Sequence, residues 1–407
     1  MGAGQASVSF AEALRQGGYE DPVTIVGEEP LPPYERPPLT KGFLAGHRDD
    51  ASLVIRSPDW LAEHGVALLA GERVTTVDRD AEGGFAATAS GRSLSFDRLV
   101  LATGSRARAL PVPGADLAGV LSIRTLADAE RLRAALHDDG PVVVAGGGFL
   151  GLEVAAVARE LGRAVTVIEA TDRLLARVVS PALSRFFRAA CERRGTRVVL
   201  DTTVAGFDGE QGHLTAVRLG NGEVLPAATA VVSIGSVPRT ELATQLRLAV
   251  DGGVVVDQMA RASDGHTLAV GDCASVPQFF DRGLPGRVRP ESVQHAMDHA
   301  RSAAATVLGQ PAAYRAVPWF WSDQGDLRLQ IVGFVAGAQS TVVRGDPATE
   351  AFSLLHYRAG LLVAAECVGS AAEHLVVKRA LEKGLTVDPS AAADTSVPLR
   401  RLLSAPA

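Results

Sequence analysis

The chain of 407 residues is 47% hydrophobic and 21% charged, the balance of a soluble globular protein of two or three domains and not of a disordered one. A formal net charge of −6 argues against a nucleic-acid-binding surface, although local basic clusters still suit an acidic protein partner. Cys191, Cys273 and Cys367 lie far apart without paired spacing, no apolar run reaches membrane-spanning length, and the N-terminus has no basic region ahead of an apolar core; the expectation is a cytoplasmic protein with no metal site, no membrane contact and no signal peptide.

In chain order, the first feature is MGAGQAS. Gly2, Gly4 and Ser7 have the spacing of a dinucleotide-binding glycine turn, yet such a turn follows a buried strand, and only Met1 precedes this one. An apolar-periodic helix comes next, then a strand over 23–26 that runs into Glu28, 26 residues after Gly2. The alternating runs and Gly-rich turns of 72–96 predict a β-meander, and LVLATGS at 99–105 is an apolar strand entering a glycine turn. Residues 141–170 repeat the opening with its context intact: a strand over 142–144, then Gly146, Gly148 and Gly151 in full GxGxxG, a helix, and a strand over 164–168 ending at Glu169, 23 residues after Gly146. A second meander pattern (212–225) and a second strand into a glycine turn, VVSIGSVP at 231–238, complete an internal repeat. The fold class expected is α/β, with two doubly wound dinucleotide-binding domains, each with a meander.

Each part of the fingerprint has a physical task. The first glycine permits the tight turn, the second lets backbone N–H groups approach a pyrophosphate, and the third lets helix and strand pack closely, with phosphate at the positive helix end. A carboxylate at Glu169 accepts hydrogen bonds from the ribose hydroxyls of NAD and repels the 2′-phosphate of NADP. Ala170, Thr171 and Asp172 supply no arginine, so NADH is the expected substrate. Two such domains imply two dinucleotides, one held permanently and one exchanged.

Further along, Asp272 follows an apolar strand and a glycine, which suits either a ligand contact at a strand's carboxyl end or a helix N-cap. Cys273 has no partner and reads as a packing residue. Arg282, Arg287 and Arg289 form a basic cluster fit to steer an acidic protein or to stand in a solvated loop. His295 and His299 are four apart with no further ligand in view, so a surface or packing role is expected.

Taken together, PYERPPLTK (33–41), LATGSR (101–106), GGGFLGLE (146–153), AVGDCA (269–274), ESVQHA (291–296) and PWFWSDQ (318–324) resemble the FAD-dependent pyridine-nucleotide reductases, and within them the NADH-dependent ferredoxin and rubredoxin reductases of oxygenase systems. The likeness spans nearly the whole chain. It implies an FAD-binding domain in two parts, 1–110 and 236–312, an NAD-binding domain over 111–235 and a C-terminal α+β domain over 313–407. It implies tightly bound, non-covalent FAD, NADH as substrate, and a small acidic iron–sulfur protein, ferredoxin or rubredoxin, as acceptor, serving a cytochrome P450 or ring-hydroxylating dioxygenase. The protein would be a monomer or homodimer. FAD contacts are implied for Gly4, Arg36, Lys41, Ala102 and Asp272. The full set of cofactor-binding residues expected from fingerprints and resemblance adds Gly2, Ser7, Glu28, Val74, Thr103, Gly104, Gly146, Gly148, Phe149, Leu150, Gly151, Glu169, Gly235, Gly271, Glu291, Ser292, Val293 and Trp321. Lys41, Glu153 and Trp321 are the expected catalytic residues.

Two prolines stiffen the chain ahead of Lys41, which is either fixed near the flavin edge or left in solvent. Glu153 follows the third glycine of the NAD turn by two residues, so Lys41 and Glu153 are expected to meet near the nicotinamide. No cysteine precedes Cys191, and the CxxxxC pair that disulfide reductases carry near RPPLTK is missing; thiol chemistry at the flavin, and oxidases that use it, are not expected. Hydride transfer from nicotinamide to flavin needs no protein nucleophile. Trp319 and Trp321 are core residues or, by the resemblance, Trp321 borders the flavin and acceptor surface. A small-molecule reductase for quinone or monodehydroascorbate and a redox-sensing flavoprotein remain open as alternatives. Loss of the strand before Gly2 would leave about five backbone bonds unmade on each side, which predicts weak FAD binding or poor folding unless the natural start lies upstream or the chain is a truncated copy.

Overall fold

The computed structural model describes residues 1–80 and 82–406. Their contacts divide the chain into two compact units. The first comprises Met1–Glu35, Leu53–Arg106 and Val237–Phe320; the second comprises Arg36–Ser52, Ala107–Ser236 and the chain from Trp321 onward.

The second unit contains a five-stranded parallel sheet in the order Thr196–Val199, Val165–Ile168, Val142–Ala145, Thr229–Val232, Val120–Ser122. Its central strand, VVVA, is buried along its whole length, as a continuous apolar run paired on both sides requires. The antiparallel meander Val204–Glu210, His213–Leu219, Val224–Pro226 closes over one face, packing Phe207, Leu214 and Val217 against Val143 and Val232. The C-terminal part is α+β: a sheet in the order Trp319–Gln324, Leu327–Gly333, Leu361–Val368, Ala351–Arg358, Ser340–Asp346, with helix Ala371–Glu382 packed on it. Polar clamps fasten this sheet to the parallel-sheet fold of the same unit. Fully buried Glu366 accepts from Ser180 N (2.8 Å) and Oγ (2.5 Å) at the start of helix Pro181–Arg193, and pairs with His356 Nε2 at 2.9 Å. At the surface Arg194 reaches both Asp326 and Glu350.

The first unit repeats the plan. Val66–Leu69 pairs in parallel with Val23–Val26, and Val100–Leu101 pairs in parallel with Leu268–Ala269. Met1 lies between the two pairs. Its nitrogen donates to Val100 O (2.6 Å), its carbonyl accepts from Ala102 N (2.7 Å), and Gly2 N donates to Val26 O (2.8 Å). In the second unit, Gly146 N donates to Ile168 O (2.8 Å) and Ser233 N to Ala145 O (2.7 Å), so Met1 takes the place of Ala145 at the end of a central strand. As expected, no strand precedes the first turn among the described residues; Met1 joins it to the 100–102 side and Gly2 N to the Val23–Val26 side. The meander here is Val74–Arg79, Gly84–Thr88, Ser93–Phe96. Helices Gln5–Gln16 and Val293–Val307 pack together through Ala6, Phe10 and Leu14 against Ala296, Ala300 and Ala303, small residues that allow close approach.

Candidate functional site

The two glycine turns are built alike. Gly2 has φ +110°, and a Cβ there would stand 2.0 Å from Ala102 O; Gly146 has φ +113°, and its Cβ would stand 2.2 Å from Ser233 O. Neither position tolerates a side chain. The second glycines behave oppositely. Gly4 and Gly148 are the N-caps of helices Gln5–Gln16 and Phe149–Glu160, and among the described residues no side-chain cap bond is made at either and, chain neighbours aside, nothing lies within 4 Å of where either Cβ would be. Each turn therefore opens the positive end of a helix beyond its second glycine, which fits a pyrophosphate. At the third position Gly151 would press a Cβ onto Gly146 O at 2.1 Å, whereas Ser7 fits and donates to Gly2 O at 2.5 Å, bracing its turn.

Around the first turn, the carboxyl ends of adjacent strands gather Ala102, Thr103, Gly104 and Asp272. Thr103 Oγ1 donates to Arg239 O (2.7 Å), and Arg239 N donates to Gly104 O (2.9 Å). Gly271, at φ +70°, sits between the two packed helices, where a Cβ would meet Ala6 Cβ at 3.2 Å and Ala296 Cβ at 3.7 Å. Asp272 follows it in a short turn and accepts from Ser105 Oγ at 3.2 Å. Glu28 is exposed, with Arg239 at 2.5 Å and Arg73 at 3.7 Å from its carboxylate. Val74 opens the meander two residues after Glu72, whose N–H is bonded to Gly27 O at 2.8 Å. Ser292 caps helix Val293–Val307 by accepting from His295 N, and Glu291 pairs with Arg289 at 2.6 Å.

Around the second turn, Glu169 Oε2 accepts from Gly147 N (2.8 Å), while Oε1 accepts from Thr171 N (2.9 Å) and Oγ1 (2.8 Å). The carboxylate is thus held at the strand end with lone pairs to spare. Phe149 and Leu150 begin the helix, and Gly235, at φ +102°, has the Arg177 guanidinium 3.7 Å from its missing Cβ.

The structure brings Lys41 and Glu153 together: Lys41 Nζ lies 2.8 Å from Oε1 of a carboxylate that is only 3% exposed. Thr40 Oγ1 donates to Oε2 at 2.5 Å and Ser322 Oγ donates to Oε1 at 2.6 Å. Burial pushes the Glu153 carboxyl pKa up, opposed by the Lys41 ammonium and by the hydroxyls of Ser322 and Thr40. Thr40 and Ser322 were not among the expected residues, although each adjoins one that was, Lys41 in one case and Trp321 in the other. Alternation along the strand sends Trp321 and Ser322 to opposite faces. Arg36, in the same unit, donates to Arg124 O at 2.6 Å.

Of the surface and packing roles open to His295 and His299, the structure shows packing: both are fully buried, stack on each other (ring centroids 5.0 Å apart) and lie against Tyr314 and, for His295, Phe279. The basic cluster is partly committed within the fold, with Arg287 donating to Ser275 Oγ and Val256 O and Arg289 paired to Glu291. Cys273 is buried, its thiol against Leu101 O and Val270 O, as a packing residue would be. Among the described residues, no cluster of three or more His, Cys, Asp or Glu is disposed to hold a metal, and no helix is long and apolar enough to cross a membrane.

Residues 1–300 match the family described as Pyridine nucleotide-disulphide oxidoreductase, and residues 319–403 match that described as Reductase C-terminal. The chain is 41% identical to rhodocoxin reductase of Rhodococcus erythropolis over 400 residues, 98% of this chain and 92% of that protein. Among solved structures it resembles the ferredoxin reductase for the CYP199A2 system of Rhodopseudomonas palustris, with a TM-score of 0.94, 39% identity and 98% of both chains covered. It also resembles the covalent putidaredoxin reductase–putidaredoxin complex, with a TM-score of 0.93 at 37% identity over 98% of this chain and 96% of that one.

Proposed function

The chain belongs to the pyridine nucleotide-disulphide oxidoreductase family, and on that premise we propose that this oxidoreductase passes electrons from NADH through FAD to a small acidic iron–sulfur protein, a ferredoxin or rubredoxin, that serves an oxygenase. The observation that carries the reading is the pair of like-built glycine turns, each locked at its first glycine and open beyond its second. FAD, held tightly and without a covalent bond, is assigned to the first turn, with Gly2, Gly4, Ser7, Ala102 and Asp272 about it. NADH is assigned to the second, with Gly146, Gly148 and Gly151 at the pyrophosphate and Glu169 on the ribose. Residues 1–110 and 236–312 are accordingly read as the FAD-binding domain, 111–235 as the NAD-binding domain and 313–407 as the C-terminal domain.

When bound, FAD supplies the two-electron to one-electron conversion that separates a hydride donor from an iron–sulfur acceptor. The protein's share is binding and orientation. Helix ends receive the phosphates, Glu169 selects the ribose without a phosphate, and Lys41, held by Glu153, supplies a fixed cation at the nicotinamide end. Trp321 is the ring proposed at the reacting end. The names of the relatives support an iron–sulfur acceptor, and the absence of a cysteine before Cys191 supports electron release without a protein thiol. A cytoplasmic monomer or homodimer is in keeping with this role. The test is anaerobic turnover with NADH against a panel of acceptors. The reading expects rapid turnover with a ferredoxin or rubredoxin; preference for quinone, or flavin reduction that no acceptor drains, would overturn it.

A further inference from the structure

Glu153 draws its donors from two segments distant in sequence. Thr40 and Lys41 come from the turn at Pro37–Thr40, and Ser322 comes from strand Trp319–Gln324, 169 residues away. The Ser322 side chain has no exposure to solvent, so its hydroxyl has no water to turn to. It shares Oε1 with the Lys41 ammonium, at 2.6 and 2.8 Å, while Thr40 takes Oε2. A carboxylate this deeply buried stays charged only while such donors hold it. Lys41 is the charged group that faces it; Thr40 and Ser322 are hydroxyls, and their bonds favour the ionised form. By occupying one side of Oε1, Ser322 also restricts where the ammonium sits.

We propose that Ser322 is a positioning residue of the NADH reaction, which acts through Glu153 to keep the carboxylate ionised and Lys41 aimed, so that the C-terminal strand completes the reacting end of the NADH site. This rests on the assignment of NADH to the second glycine turn. The fold supplies the reason for such a link. The C-terminal sheet is clamped to the NAD-type fold at Glu366–Ser180, so Ser322 is presented from a rigid base.

The experiment uses the flavin-loaded protein with Ser322→Ala, Ser322→Thr and Glu153→Gln. Loss of a hydrogen bond to the charged form raises the carboxyl pKa. The acid limb of NADH-driven flavin reduction in Ser322→Ala should therefore move to higher pH by about one unit, with Ser322→Thr restoring it. An infrared titration of the Glu153 carboxyl band, identified by its loss in Glu153→Gln, should move by the same amount without any turnover. An unmoved acid limb and unmoved band in a folded Ser322→Ala protein would overturn the proposal. If Ser322→Ala does not fold, Ser322→Cys, a weaker donor of similar shape, must show the same upward shift or the proposal fails. Glu153→Gln separates the two readings: an unchanged pH profile in that variant sinks the NADH assignment at this carboxylate, whereas a changed profile beside an unmoved Ser322→Ala sinks the role of Ser322 alone.

Discussion

Gly146 and Gly148 stand two residues apart in one turn, and substituting alanine at each should have opposite consequences. At Gly146 a Cβ meets Ser233 O at 2.2 Å and the backbone is held at φ +113°. The strained backbone costs about 1–3 kcal/mol, and prising the central strand from its neighbour costs a further ~1–3 kcal/mol. At about 2–4 °C per kcal/mol for a unit of this size, Gly146→Ala should lower the melting temperature by roughly 4–24 °C. At Gly148 the backbone is extended (φ −82°, ψ −179°) and, among the described residues and chain neighbours aside, nothing lies within 4 Å of the new Cβ. The weaker N-cap costs ~0.5–1 kcal/mol, and the stiffer unfolded chain returns a similar amount, so melting should not move. The methyl group instead occupies the approach to the helix end. Losing a charge-assisted bond to phosphate is worth about 1.5–3 kcal/mol, or roughly a 10- to 150-fold weaker grip on NADH. Thermal melts and NADH titrations of the two variants check this. A Gly148→Ala protein that binds NADH as tightly as the parent would refute the placement of the pyrophosphate.

Glu169→Ala or Glu169→Arg should weaken NADH use and raise the ratio of NADPH to NADH efficiency, since each lost ribose bond is worth about 0.5–3 kcal/mol; an unchanged ratio in steady-state assays removes Glu169 from the site. Lys41→Met strands Glu153 as a buried unpaired charge and should cost ~3–5 kcal/mol. Because the carboxyl pKa then lies further above its unfolded value, that loss should be greatest at alkaline pH and should recede as pH falls and the carboxyl takes up a proton, which denaturation at several pH values will show. Arg194, and after it Arg193, hold the Glu350 carboxyl at about 2, below its ordinary 4.5. The stabilisation they give is present above pH 4.5 and lost as pH falls through about 2, so Arg194→Ala should flatten the acid dependence of melting over that window.

Much of this architecture is written locally. Strand, glycine turn, helix and terminal acid follow one another within about thirty residues at Gly146, so that turn was legible from spacing, and the turn at Gly2 from its likeness to it. What escaped is non-local. Met1 meets Val100 across 99 residues, a contact that no local spacing announces. Thr40 and Ser322 find Glu153 across 113 and 169 residues, and a hydroxyl beside a lysine or a tryptophan announces nothing about what it will touch. His295 and His299 share a helix face by their spacing, but what packs on that face, Tyr314 and, for His295, Phe279, lies outside the helix. Arg287 read as free charge because its acceptors are backbone carbonyls and a hydroxyl, which composition does not reveal.

The central claim is that one chain holds FAD in its first turn and takes a hydride from NADH at its second. Anaerobic stopped-flow mixing of the purified protein with one equivalent of NADH, or of NADH deuterated at the transferred position, tests it most directly. The account predicts that the protein purifies with flavin, that the flavin's visible absorption is lost rapidly, that deuterium slows this loss, and that NADPH is a far poorer donor. A protein that binds NADH yet leaves its flavin oxidised, or that carries no flavin when folded, would contradict it.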